Sequence, residues 1–322
     1  MKSLERILTA ACRERDHPWA LATLVRTVGS TYRRPGARLL ISPDGTTTGV
    51  LSGGCLEEEI ARIGLEVMAE KSPKLVPFDT QRLYGCDGKL AIFIERIEPA
   101  GDTGNFLTAV AARIKRREIC RVRIDGCGQK ARATVARASC PEPSHSELLP
   151  DHALVIERED CFVETLPLPV RLLIFGDGPE IAPIRLFAAG LGWCVSAYRH
   201  PSELPADFVT DSQSAAVVMT HNFGRDFAAL DRLLPLELPY LGLLGPKRRH
   251  LDLIARLQEI RELEPAWLDN LFSPAGLDIG SEAPEEIALA IVSEAAAVLA
   301  DRRGGFLRNR VTGIHSVCAK EA

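Results

Sequence analysis

Leu4, Ile7, Leu8 and Ala11 recur at helical spacing and predict an N-terminal helix. Residues 19–28 form a nearly unbroken apolar and β-branched run, which predicts a strand, and residues 37–41 predict a second. Pro43-Asp44-Gly45 is a turn signal, and residues 47–51 are the expected hairpin partner. Ser52-Gly53-Gly54 breaks that strand. Leu56, Ile60, Ile63 and Val67 then restore a 3.6 period up to Glu70. With a further strand over 90–97, the pattern predicts an α+β domain spanning residues 1–98.

Residues 99–168 are a middle segment, read as a sub-domain or an elaboration of the first domain. It carries a predicted helix at 105–117, short strands at 119–124, 130–136, 153–157 and 161–165, and a loop at 140–146. Past the prolines at 167 and 169 the pattern changes. Apolar strands at 170–175, 194–198, 215–220 and 240–244 alternate with helical stretches at 179–190, 223–234, 246–258 and 284–302. That alternation predicts a doubly wound parallel sheet over 169–322. The fold class is therefore α/β, an α+β domain followed by a Rossmann-like one.

Composition narrows the function classes. Hydrophobic residues make up 46% and charged residues 25% of 322, as in ordinary globular proteins. The balance of 39 basic against 43 acidic residues gives no global basic field, so nucleic acid is not an expected partner. No apolar run reaches membrane-spanning length, so no membrane partner is expected either. Nine cysteines fall well short of the ~8–10% that marks a disulfide scaffold. Their odd number prevents complete pairing, and a reduced, cytoplasmic protein is expected.

Two of the nine stand in glycine turns. Cys55 follows Ser52-Gly53-Gly54 at the predicted start of a helix, where backbone N–H groups and the helix dipole favour a thiolate or an anion. Glu57, Glu58 and Glu59 oppose an anion there if they turn inward. Cys86 lies in Gly85-Cys86-Asp87-Gly88, and two such turns can offer two soft ligands to one bound group. The commoner fate of a lone cysteine is to be a small buried side chain. Arg33, Arg34 and Arg38 belong to a Gly/Pro-bounded loop suited to a bidentate anion. Lys247, Arg248 and Arg249 open a helix against its dipole, which points to an anion or partner contact or to a solvated charged face.

In the second domain, strand, Gly176-Asp177-Gly178 and helix stand in the context of a dinucleotide-binding turn. The fingerprint is incomplete. Ile181 replaces the third small residue, Asp177 adds negative charge, and Tyr198 stands where an acid would read the ribose. An NAD(P)-dependent oxidoreductase is the alternative this turn raises, with Arg199 and His200 leaving room for a phosphate. His221 and His250 would be its candidate hydride-transfer partners. A scaffold that binds no nucleotide is the competing reading.

The motifs taken together resemble the xanthine dehydrogenase accessory factor family, XdhC/CoxI. The stretches that carry the resemblance are Gly29-Ser30-Thr31 with Arg34-Pro35-Gly36-Ala37, Gly49-Val50-Leu51-Ser52-Gly53-Gly54-Cys55-Leu56-Glu57, Gly85-Cys86-Asp87-Gly88, Leu173-Ile174-Phe175-Gly176-Asp177-Gly178, Tyr240-Leu241-Gly242-Leu243-Leu244-Gly245-Pro246-Lys247-Arg248-Arg249, and the loop 274–280 leading to Pro284-Glu285-Glu286-Ile287-Ala288. The resemblance implies a factor that binds molybdenum cofactor and helps deliver it, sulfurated, to a molybdenum hydroxylase apo-enzyme. It also implies a sulfur donor protein as a second partner and a homodimer. On that reading Ser52, Gly53, Gly54, Cys55, Cys86, Arg33, Arg34, Arg38, Gly176 and Gly178 are the candidate cofactor contacts. Cys55 is the candidate molybdenum or sulfur contact. An interaction scaffold bridging sulfur donor and target enzyme is a third reading.

Overall fold

The computed structural model describes residues 2–29, 31–54, 56–79, 88–101, 104–125, 132–136, 155–158 and 161–311. Cys55, Cys86 and the predicted loop 140–146 lie outside the described residues. The chain divides into two compact units, Met1–Leu168 and Pro169–Ala322.

In the first unit, helix α1 (Lys2–Arg13) precedes strands β1 (Trp19–Gly29), β2 (Arg38–Ile41) and β3 (Thr47–Gly49). Helix α2 (Glu57–Glu70) and strands β4 (Lys74–Asp79) and β5 (Gly88–Ile97) follow. They build an antiparallel sheet in the order β3-β2-β1-β5-β4. The apolar run of β1 has a physical reason, since both its faces are covered. Leu21 and Val25 face one core with Ile7, Leu8 and Ala11 of α1. Ala20, Ala22 and Leu24 face the other, with Ile60, Ile63 and Val67 of α2. Strand β4 has no counterpart among the predicted elements. Pro77 interrupts its pattern, and proline is tolerated because β4 is an edge strand.

The middle segment supplies helix α3 (Phe106–Lys115) and a second sheet of β6 (Cys120–Asp125), β7 (Arg132–Ala136), β8 (Val155–Arg158) and β9 (Cys161–Leu166), ordered β7-β6-β9-β8. Leu107, Val110, Val122, Ile124, Phe162 and Leu166 enter the same core as Leu21 and Phe93, so the segment packs into the first unit. A buried ion pair joins the two sheets. Arg38, 5% exposed, donates to Glu164 on β9 at 2.6 Å and to the Gly36 carbonyl at 2.8 Å. Gly36 has φ +93°, and a Cβ there would sit 2.3 Å from Glu164 Oε1, so only glycine lets the carboxylate lie there.

The second unit is doubly wound. Strands β10 (Arg171–Phe175), β11 (Cys194–Tyr198), β12 (Ser214–Val218), β13 (Tyr240–Leu243) and β14 (Leu271–Phe272) pair in parallel, ordered β11-β10-β12-β13-β14. Helices α4 (Ile181–Leu191) and α8 (Pro284–Leu299) pack on the Leu172, Ile174 and Val217 face. Helices α5 (Phe223–Leu233) and α6 (Lys247–Gln258) pack on the Leu173, Phe175 and Val218 face, and short α7 (Pro265–Asp269) leads into β14. This is the α/β class that the sequence predicts, an α+β unit followed by a Rossmann-like one. Among the described residues no helix is long and apolar enough to cross a membrane.

Candidate functional site

Strand register brings Gly29, Gly49, Asp79 and Gly88 to one end of the antiparallel sheet. Gly29 pairs with Gly88, Leu39 with Gly49, and Asp79 with Lys89. Strands β1, β3 and β4 therefore finish at the end where β2 and β5 begin. The loop carrying Arg33 and Arg34, the turn at 50–56 and the β4–β5 connection all leave from that end. Residues 26–29 pair with β5 only, because β2 starts opposite Thr23. Val28 on that extension, Tyr32 on the loop and Val50 beside the turn expose apolar surface.

The glycine turn is held from inside by Glu57, the first residue of α2. Its carboxylate accepts from the N–H groups of Ser52 (2.8 Å), Leu51 (3.2 Å) and Leu56 (3.2 Å) and from the Ser52 hydroxyl. The Ser52 oxygen in turn accepts from the N–H groups of Gly54 (3.3 Å) and Leu56 (3.2 Å). Burial pushes the Glu57 carboxyl up, but the donors from Ser52 and Leu51 outweigh it, and its pKa is lowered. Glu58 and Glu59 face solvent, with Glu59 paired to Arg62.

Three expectations change as a result. The N–H groups of Leu51, Ser52 and the N-cap Leu56 are taken by Glu57 and are not offered to an external phosphate. Ser52 shapes the turn, its hydroxyl committed to Glu57. Arg38 is buried and paired with Glu164, which disfavours it as an anion contact. Gly53 and Gly54 border open space. Both are exposed, and a Cβ on either would meet nothing within 4 Å.

In the second unit the corresponding place is the carboxyl edge of the parallel sheet, between the loops after β10 and β12. These loops touch closely, since a Cβ on Gly176 would fall 2.5 Å from the Met219 carbonyl oxygen. Two arginines of this unit are engaged. Arg225 pairs with Asp177 at 3.3 Å, and Arg249 pairs with the fully buried Asp226. Asp226 also accepts from the Thr220 N–H at 3.2 Å and the Thr220 hydroxyl at 2.5 Å. The basic opening of α6 is thus partly structural, with Arg249 tying α6 to α5, while Lys247 and Arg248 remain exposed. Tyr198, which stands where an acid would read the ribose, stacks on Phe175. His200 accepts from the Ser202 N–H and caps the short 3-10 turn at Pro201–Glu203. Burial and nearby Lys247 lower the pKa of His250. These engagements disfavour NAD(P) at this edge.

Sequence reasoning missed Glu180. It is 6% exposed, and its Oε2 has no hydrogen-bond partner among the described residues. A Cβ on Gly178 would lie 2.4 Å from that oxygen. His221 Nε2 is 3.7 Å from Oε1, too long for a hydrogen bond. An acid inside a phosphate-binding turn was the available signal. Beyond the edge, Glu294 accepts from the Tyr240 hydroxyl (2.8 Å) and the Gly276 N–H (2.7 Å), pinning the 274–280 loop to α8. Among the described residues no cluster of three or more His, Cys, Asp or Glu is arranged to hold a metal ion.

Comparison with known proteins follows this division. The model of the XdhC and CoxI family matches residues 12–79, and that of the XdhC Rossmann domain matches residues 172–295. A Bacillus subtilis protein, named as a probable subunit of xanthine dehydrogenase, is 27% identical over 91% of this chain and 97% of its own length. PaoD of Escherichia coli, a molybdenum cofactor insertion chaperone, is 25% identical, over 86% of this chain and 82% of its own. The crystal structure of a Bacillus halodurans protein described as a xanthine dehydrogenase superposes with a TM-score of 0.77 at 26% identity, covering 94% of this chain and 97% of that one.

Proposed function

The chain belongs to the XdhC and CoxI family, and from that membership we propose that it is a molybdenum cofactor insertion chaperone. It binds the cofactor as cargo and hands it to a molybdenum hydroxylase apo-enzyme. The observation that carries this reading is the similarity, over most of both chains, to a protein named for that role. The geometry of the first unit is compatible with it. Open, Cβ-free surface at Gly53 and Gly54 follows β3 at the sheet end from which the loop carrying Arg33 leaves. Thiols are soft ligands for a molybdenum–sulfur centre, and arginines suit the phosphate of the pterin. We assign the cargo site to this end, with Cys55 as the contact to molybdenum or its sulfur and Gly53 and Gly54 as the close-approach surface. Delivery in sulfurated form, from a sulfur donor protein, belongs to the same proposal.

The test is co-purification. Wild type and Cys55→Ala are produced in cells that make molybdopterin, and bound pterin and molybdenum are quantified by absorbance and mass. Wild type should retain cofactor, and Cys55→Ala should retain several-fold less. Equal retention would remove Cys55 from the site, and retention by neither would remove the chaperone reading. The mass of the released cofactor distinguishes a sulfido from an oxo ligand.

A further inference from the structure

The two faces of the second unit's sheet are covered by helices of different character. Helices α5 and α6 carry charges along their lengths, among them Asp231, Arg232, Arg248 and Arg256. Helix α4, which packs beside α8 on the other face, carries only Arg185. After the first turn of α8 the only charged residue is Glu294, and it is turned to the Tyr240 hydroxyl and the Gly276 N–H. The outward side of this helix pair is therefore apolar, where a solvated helix carries a polar face. Ala182, Leu186, Ala189 and Leu191 are exposed on α4 and Leu289 on α8, with Leu186 at 71% and Leu289 at 45%. The surface continues past the helices. The Leu277 N–H donates to the Ala290 carbonyl of α8 at 3.2 Å, and Gly304 lies against Leu277 and Ala297. The segments bearing exposed Ile279 and Phe306 thus run beside α8.

Charge at the margin selects the occupant. Arg185 on α4 and Glu285 in the first turn of α8 are exposed, opposite in sign, and make no ion pair among the described residues. A two-fold axis brings residue i of one copy to residue j of the other and j to i. A contact of Arg185 with Glu285 of the partner subunit is then formed twice, and no like charges meet. A partner of a single charge sign would set one of the two against its like. The apolar centre is matched in the same way, because each copy presents leucine and alanine to leucine and alanine. We propose that α4 and α8 form the interface between two copies of this chain, with Leu186 and Leu289 at its centre and Arg185–Glu285 pairs at its margin. Association of this kind is independent of the cofactor chemistry proposed above.

Sedimentation velocity of the full-length chain, over a concentration series from about 0.1 to 100 µM, reads the association. Wild type should be a dimer at the upper end. Leu186→Glu and Leu289→Glu should each weaken it at least about 30-fold, because each substitution enters the interface twice. Leu251→Glu, at an exposed leucine of α6 on the opposite face, should leave it unchanged. Arg185→Glu should weaken it about 5- to 10-fold, and adding Glu285→Arg should restore it to within about 3-fold of wild type. Hydrogen exchange on the wild type, compared at low and high concentration, needs no variant to fold and should show added protection on α4 and α8. A monomeric wild type would overturn the proposal and leave the face to a different protein. A dimer that resists both leucine variants, a double reversal no tighter than Arg185→Glu alone, or protection confined to other elements would overturn it as well.

Discussion

Each unit has a strand that runs through a glycine turn into a helix, with a glutamate at the helix start, and the two glutamates have opposite fates. Glu57 fills its turn, taking three backbone N–H groups and a hydroxyl. Glu180 lies under its turn with one oxygen unpartnered. The glycines differ in the complementary way. Gly53 borders open space, whereas Gly176 is wedged against the Met219 carbonyl. A glycine-rich turn therefore does not by itself denote an anion site. In the first unit the acid is an internal staple and the glycines border open space, and in the second the glycine is packed against backbone and the acid is buried with one oxygen unpartnered among the described residues.

The largest effect expected from this contrast is on the glycines. Gly176→Ala drives a Cβ into a backbone oxygen and should destabilise the second unit by about 3 kcal/mol, while Gly53→Ala should stay within ~0.5 kcal/mol. Thermal unfolding of both variants checks this, and equal losses would break the comparison. The glutamates come next. Glu57→Gln disrupts a charged acceptor of four donors and should cost about 1–2 kcal/mol, whereas Glu180→Gln should be neutral or stabilising, because it removes an uncompensated buried charge. Chemical denaturation reads the sign directly.

Acid titration sharpens the same point. The folded pKa of Glu57 is lowered, so its contribution is complete above the ordinary value of 4.5 and is lost as pH falls through the folded value. The stability gap between wild type and Glu57→Gln should therefore close as pH drops below 4.5, and a constant gap would mean that the staple is not ionic. The smallest effect belongs to Asp177→Asn. Its half-exposed pair with Arg225 should be worth only ~0–0.5 kcal/mol.

Much of the architecture could be read from periodicity, because β1, β10 and β12 are covered on both faces and appear as continuous apolar runs. Strand β4 could not, since Pro77 masks an edge strand, and two-residue β14 is too short to show a period. The site was readable in part. The glycine turns and Arg33–Arg34 stand out in sequence, but Arg38 meets Glu164 across 126 residues, and nothing local announces that pairing. Whether Glu57 turns inward depends on donors from Leu51 and Ser52, which exist only once the turn has formed. Glu180 stands inside an imperfect fingerprint. Its meaning comes from burial without a partner, which a sequence pattern does not register.

Transfer tests the central claim most directly. The purified chain, loaded with molybdenum cofactor, is mixed with the cofactor-free apo-form of a molybdenum hydroxylase, and enzyme activity is followed with pterin content on each protein. The account predicts that cofactor leaves this chain as activity appears in the enzyme, faster than when free cofactor is supplied at the same concentration. Activity that rises no faster than with free cofactor, while the pterin stays on this chain, would contradict it.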